Sequence, residues 1–102
     1  MIRTTLILPA SPDVVDAVIG VYNEYDILQY SLDNSEAVAS ELSVATDGSG
    51  AILVTAVWPS TAAYQGWLDN PERERTGTIL RELLKDAVGV GQTWKIDQSV
   101  SK

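Results

Sequence analysis

The chain has 102 residues and a formal charge of −7, and it contains neither Cys nor His. That length predicts a single domain, and 45% apolar against 21% charged residues describes an ordinary soluble globular protein rather than a disordered one. The composition disfavours nucleic acid and anionic membranes as partners, excludes disulfides and thiolate chemistry, and removes Ser-His-Asp catalysis along with the usual imidazole ligand of transition metals and haem.

The first segment, Ile2–Leu8 (IRTTLIL), alternates and is rich in β-branched residues, which predicts a strand ended by Pro9. The N-terminal apolar run is too short for a secretory signal, and no run approaches the ~20 residues that span a bilayer, so the expected location is the cytoplasm. Ser11 as N-cap, Pro12 at the first helical position and Asp13 against the helix dipole announce a helix. Val14, Val18, Tyr22, Tyr25, Leu28 and Leu32 follow at spacings of three and four, predicting one helix from Pro12 to Leu32 that stops at Asp33-Asn34. Glu36–Thr46 then places Val38, Ser40, Leu42 and Val44 on one face of a second strand. Asp47–Gly50 (DGSG) is a turn cluster, and Ala51–Trp58 reads as a central strand buried on both faces, so the two strands form a hairpin.

Pro59 closes the third strand, and Ser60 caps a short helix from Thr61 to about Asp69. Asn70-Pro71 gives a second capped start with Glu72 and Glu74 in its first turn. Ile79, Leu80, Leu83, Leu84, Ala87 and Val88 then define an amphipathic helix ending at Gly89. Val90–Val100 reads as the last strand. The order β-α-β-β-α-β is the ferredoxin-like arrangement: α+β, a four-stranded antiparallel sheet with helices on one face. The second sheet face then needs cover, and a sheet-to-sheet homodimer is the simplest expectation.

At Leu53–Arg75 (LVTAVWPSTAAYQGWLDNPERER) the sequence resembles the antibiotic biosynthesis monooxygenase domain family, the small dimeric α+β barrels. The residues that carry the resemblance are Trp58 at a strand end, Ser60, Ala63-Tyr64, Trp67 and Arg73. It implies a single domain of this type over residues 1–102 and oxidation of a small electron-rich aromatic, a phenol or hydroquinone, by O₂ with no metal or flavin cofactor. Family members with that chemistry use an Asn on the third strand, the Trp at its end, the helix Tyr and an Arg in a Leu-Arg-Glu segment. Here Trp58, Tyr64 and, after a shift of a few residues, Arg81 match, while the Asn position holds Val54. Haem-degrading members use an Asn on the first strand, the helix Trp and a His ten residues on. Trp67 matches, but Ile2–Leu8 lacks Asn and Gly77 stands at the His position, so haem degradation is not expected.

The candidate catalytic residues are therefore Tyr64, Arg81 and Trp58. Tyr64 would orient substrate or exchange a proton, and Arg81 would stabilise an oxyanion. Trp67, Tyr22, Tyr25 and Trp94 are the candidate substrate-binding aromatics, expected to wall a cavity for a flat apolar ligand. Each has a packing alternative. In a chain without Phe, the same aromatics can simply fill the core, Trp58 can be a strand-to-helix corner, and Arg81 can pair with Glu74 or Asp86 on the surface. Arg73 and Arg75, alternating with Glu72 and Glu74, read either as a solvated helix face or as an anionic-ligand anchor. Two functions are consistent with this pattern: the monooxygenase, and a non-catalytic dimeric module that binds a small molecule or is purely structural.

Overall fold

The computed structural model describes residues 1–84 and 88–102. Strand β1 (Ile2–Leu8) is followed by helices α1 (Val15–Glu24) and α2 (Ile27–Asp33), strands β2 (Ala39–Val44) and β3 (Ile52–Trp58), and helix α3 (Thr61–Leu68). A 3-10 turn (Pro71–Glu74), helix α4 (Gly77–Leu84) and strand β4 (Gln92–Lys95) complete it. The strands form one antiparallel sheet in the order β2-β3-β1-β4. This is the expected ferredoxin-like topology, with each of its two helical segments broken into shorter pieces.

Register decides the faces, because directly paired residues in an antiparallel ladder point to the same side. Leu8 pairs with Ile52, Leu6 with Val54, Thr4 with Ala56 and Ile2 with Trp58. This is the helix-covered face, and its core is Leu8 and Ile52 closed over by Ala10, Val18 and Leu84. Tyr22, Leu80 and Val54 pack against that core. The opposite face carries Arg3, Thr5, Ile7, Leu53, Val57 and Trp94, with Ile7 62% and Trp94 54% exposed. It mixes polar and apolar groups, and among the described residues no helix covers it.

The first helix departs from the expected single span. The Val14 and Val15 amides do reach the Ser11 carbonyl, each at 3.0 Å. The Ser11 hydroxyl, however, donates to Asp13 at 2.7 Å instead of capping the helix, and α1 begins at Val15. The helix also breaks at Tyr25-Asp26, where Asp26 takes the left-handed conformation at φ 50°. Asp is one of the few side chains that tolerates this region. The break re-aims α2 so that Tyr30 meets the 3-10 turn.

Other boundaries follow their punctuation. Ser60 accepts from the Ala63 amide at 3.1 Å, and Asn70 accepts from the Glu72 amide at 3.0 Å, so both expected caps form. The Asp47–Gly50 turn has Gly48 and Gly50 at φ 81° and 82°. A Cβ on Gly50 would lie 2.5 Å from the Ser11 carbonyl carbon, so this glycine lets the hairpin abut the start of the helical segment. Strand β4 is shorter than expected, with only Gln92–Lys95 in the ladder. The expected passage of the last helix through Ala87, like the Asp86 partner for Arg81, lies outside the described residues. Among the described residues no helix is long and apolar enough to cross a membrane.

Candidate functional site

Between the helices and the covered sheet face lies a cavity of about 850 Å³. One wall begins at β3. Trp58, 3% exposed, is anchored by its indole N–H, which donates to Thr4 Oγ1 at 3.0 Å across the β1–β3 pair. That bond satisfies a buried polar atom and holds the indole at the strand end. The Ser60 cap then starts α3 directly behind it, bringing Tyr64 to a ring-centroid distance of 5.3 Å from Trp58 at an angle of 56°. The phenol oxygen of Tyr64 lies 2.8 Å from where a Cβ of Gly91 would stand, so Gly91 admits the ring. Trp67, three residues on and thus on the same helix face, continues the wall.

The opposite wall comes from α1, α2 and α4, through Tyr22, Ile27, Leu28, Leu80 and Leu84. Burial pushes the Tyr22 phenol up to about 12, so it stays protonated. Val54 lines the sheet side, and the surface it offers is apolar.

At the mouth, the Glu74 carboxylate is shared by two arginines. Arg81 Nη1 lies 3.3 Å from Oε2 and Arg73 Nη1 lies 3.5 Å from Oε1. Arg81 also donates to Thr78 Oγ1 at 3.4 Å. All three charged residues line the cavity. The clasp sits over Gly77, where a Cβ would come within 2.6 Å of Glu74 Oε2 and 3.0 Å of Arg81 Nη1. The surface alternative for Arg81, pairing with Glu74, is thus realised at the rim of the cavity itself.

Arg75 turns the other way. Its guanidinium lies 3.5 Å above the Tyr30 ring and donates to the Tyr25 carbonyl, while the Tyr30 hydroxyl donates to the Glu72 carboxylate. That hydrogen bond is the main reason the Tyr30 phenol is raised. Asn70 adds a bond from its side-chain amide to the Asn34 carbonyl at 3.1 Å. Together these tie the 3-10 turn to α2. The run Glu72–Arg75 is exposed throughout, as a solvated face would be, but its charges divide between the cavity mouth and α2.

Of the seven residues singled out from sequence, five line the cavity: Trp58, Tyr64, Trp67, Arg81 and Tyr22. Tyr25 and Trp94 do not. Tyr25 ends α1 before the Asp26 break and is 36% exposed. Trp94 pairs with Arg3 on the uncovered sheet face, and its indole N–H donates to Thr5 Oγ1 at 2.9 Å. Alternation alone gave Trp94 a face shared with Gln92, and only the pairing with β1 says which face that is. Sequence reasoning missed Thr4, Leu28, Ser31 and Leu80 as lining residues. The even-numbered alternation of β1 was the available signal for Thr4. Among the described residues no three acidic side chains gather into a cluster that could hold a metal.

No family model and no curated protein matches the sequence. Solved structures do match over nearly its full length. The monooxygenase of the ActVA-Orf6 gene of Streptomyces coelicolor, solved with nanaomycin D, superimposes with a TM-score of 0.79 at 14% identity, covering 99% of this chain and 91% of that one. Rv0793 from Mycobacterium tuberculosis gives 0.76 at 15% identity, with 98% of each chain covered. SnoaB from Streptomyces nogalater, a cofactor-independent oxygenase, gives 0.64 at 16% identity, covering 99% and 95%. The fold is that of the antibiotic biosynthesis monooxygenases. The resemblance first visible at Leu53–Arg75 thus extends, as a fold, over the whole chain, and at these identities it is the fold alone that is shared.

Proposed function

We propose that the chain is a monooxygenase of the antibiotic biosynthesis type, oxidising a small electron-rich aromatic with O₂ and without metal or flavin. The observation that carries this reading is the aromatic-walled cavity with Arg81 at its mouth. A neighbour of this fold solved with nanaomycin D and another described as a cofactor-independent oxygenase support it.

The chemistry asks little of the protein. A phenolate passes one electron to O₂, giving a phenoxyl radical and superoxide. The two combine into a C–O bond, and the ring peroxide loses water to leave a quinone. For a simple phenol the balance is phenol plus O₂ to quinone plus water, so the substrate supplies all the reducing electrons. Trp58, Tyr64 and Trp67 hold the ring and exclude water, Arg81 stabilises the developing oxyanion, and Tyr64 exchanges the proton. Val54, in place of the Asn that the resemblance would put on the third strand, favours a second reading: a non-catalytic module that binds a small apolar ligand. A homodimer closing over the face of Ile7, Leu53 and Trp94 belongs to either reading.

Oxygen uptake with a panel of dihydroxynaphthalenes separates the two. The monooxygenase predicts consumption by the wild type, with kcat/KM lowered about a hundredfold in Arg81→Ala and KM raised in Trp67→Ala. An inert wild type, or two variants as active as it, would overturn the catalytic reading at these residues. Light scattering at micromolar concentration tests the dimer, which should bury at least ~1,200 Å² in total. A monomeric mass removes it.

A further inference from the structure

We propose that Arg73 and Arg81 form a carboxylate-binding site at the cavity mouth, and that Glu74 occupies it in place of the carboxylate of an aromatic ligand. This deepens the ligand-site reading and rests on it, naming the ligand class as an aromatic acid, but it does not require oxygen chemistry.

The head groups concerned sit at the cavity wall. Gly77 lines the cavity, and a Cβ there would stand 2.6 Å from Glu74 Oε2, 3.0 Å from Arg81 Nη1 and 3.4 Å from Arg81 Nη2. The Glu74 carboxylate and the Arg81 guanidinium thus lie in the space that a side chain at position 77 would take. Arg73 joins them through Nη1, 3.5 Å from Glu74 Oε1. Among the described lining residues these three are the charged ones, so the mouth carries two cations against one carboxylate. The chain as a whole has a formal charge of −7. A local surplus of positive charge in an acidic protein draws an anion to this end of the cavity.

The pairing also identifies the anion. Glu74 gives one oxygen to each arginine, Oε1 to Arg73 and Oε2 to Arg81. A carboxylate bridging two guanidiniums is therefore already built, with a protein side chain supplying it. A ligand carboxylate has the same two oxygens at the same spacing.

Displacing Glu74 costs little. The side chains of Arg73, Glu74 and Arg81 are 42%, 58% and 64% exposed. Their contacts, at 3.5 and 3.3 Å, are longer than a strong charge-assisted bond, and exposed pairs of this kind add little stability. Once released, Glu74 regains water. Arg73 is the less committed cation, since Arg81 also donates to Thr78 Oγ1 at 3.4 Å. Each guanidinium carries five N–H donors, so Arg81 can share a ligand carboxylate with Arg73 and still face a developing oxyanion.

The test uses 2-naphthoate and 2-naphthamide, which share a ring system and differ in the charge of one group. Isothermal titration calorimetry on the wild type should give about threefold tighter binding of naphthoate. In Glu74→Gln, which removes the competing carboxylate, naphthoate should tighten about fivefold further while naphthamide stays unchanged. A merely structural Glu74 would give the reverse, because the mouth would loosen for both compounds. In Arg73→Gln the preference for naphthoate should vanish. Raising NaCl from ~50 to ~500 mM should weaken naphthoate about threefold on the wild type and leave naphthamide unchanged, which keeps the test independent of how the variants fold. Naphthoate affinity that Glu74→Gln leaves unmoved or weakens, a preference that survives in Arg73→Gln, or salt-independent naphthoate binding overturns the assignment while leaving the ligand site intact. Failure of both compounds to bind the wild type overturns the ligand-site reading, and this inference with it.

Discussion

The core that lends Leu8 and Leu84 to the cavity lining, and so serves as its floor, packs them with Ala10, Val18 and Ile52, the last two 0% and 1% exposed. At its rim, α2 and the 3-10 turn contain no buried residue, and they are joined through Tyr30, Glu72, Arg75 and the Asn70–Asn34 bond. The floor is held by close packing, which is insensitive to salt and intolerant of lost volume. The rim is held by exposed charges and one cation–π contact, which contribute little to global stability and leave local opening easy. A site built this way keeps one end fixed and lets the other yield to a ligand.

The largest expected effect comes from attacking the floor. Ile52→Ala should lower stability by about 3 kcal/mol in urea unfolding, because a fully buried aliphatic leaves a cavity that only partly collapses. A loss below ~1 kcal/mol would mean the floor is not close-packed, and the contrast with the rim would fail.

The next effect comes from pH. Tyr22 ionises near 12 in the folded chain and near 10 as a free phenol. Between these values the unfolded state gives up a proton that the native state keeps, so rising pH favours unfolding. The contribution is intact below pH 10 and falls away toward pH 12, with about 2–3 kcal/mol at stake. Alkaline denaturation should therefore shift to higher pH in Tyr22→Phe, and a coincident midpoint would count against a desolvated phenol at the floor.

The smallest effect sharpens the rim. Arg75→Ala should change global stability by less than about 1 kcal/mol, yet amide exchange at residues 72–76 should accelerate about tenfold as the turn detaches from α2. An unchanged exchange rate would show that the Tyr30 contact does not hold the rim.

Much of the fold was legible because it is punctuated. Pro9 and Pro59 close strands, Ser60 and Asn70 cap the elements after them, and Gly48 and Gly50 turn the hairpin. The break at Asp26 carried no such mark, since neither Gly nor Pro stands there and the apolar spacing runs straight through it. Its cause is tertiary: α2 is re-aimed to meet the turn that bears Glu72 and Arg75, some forty residues away. The candidate site divides along the same line. Trp58, Tyr64 and Trp67 were legible because one strand end and one short helix position all three. Trp94 was not, because its face depends on pairing with β1, a non-local fact. The Glu74 clasp over Gly77 needed the 3-10 turn and α4 to be set beside each other before it could be seen.

The three tryptophans also have a consequence for how this protein can be watched. Trp58 is sealed in the wall, Trp67 is half-buried beside the cavity, and Trp94 stands 54% exposed on the opposite sheet face. Emission from the first two reports on the interior, while quenching by iodide selects the third. The chain thus carries an intrinsic fluorophore on each side of its sheet, able to register filling of the cavity and covering of the outer face as separate signals.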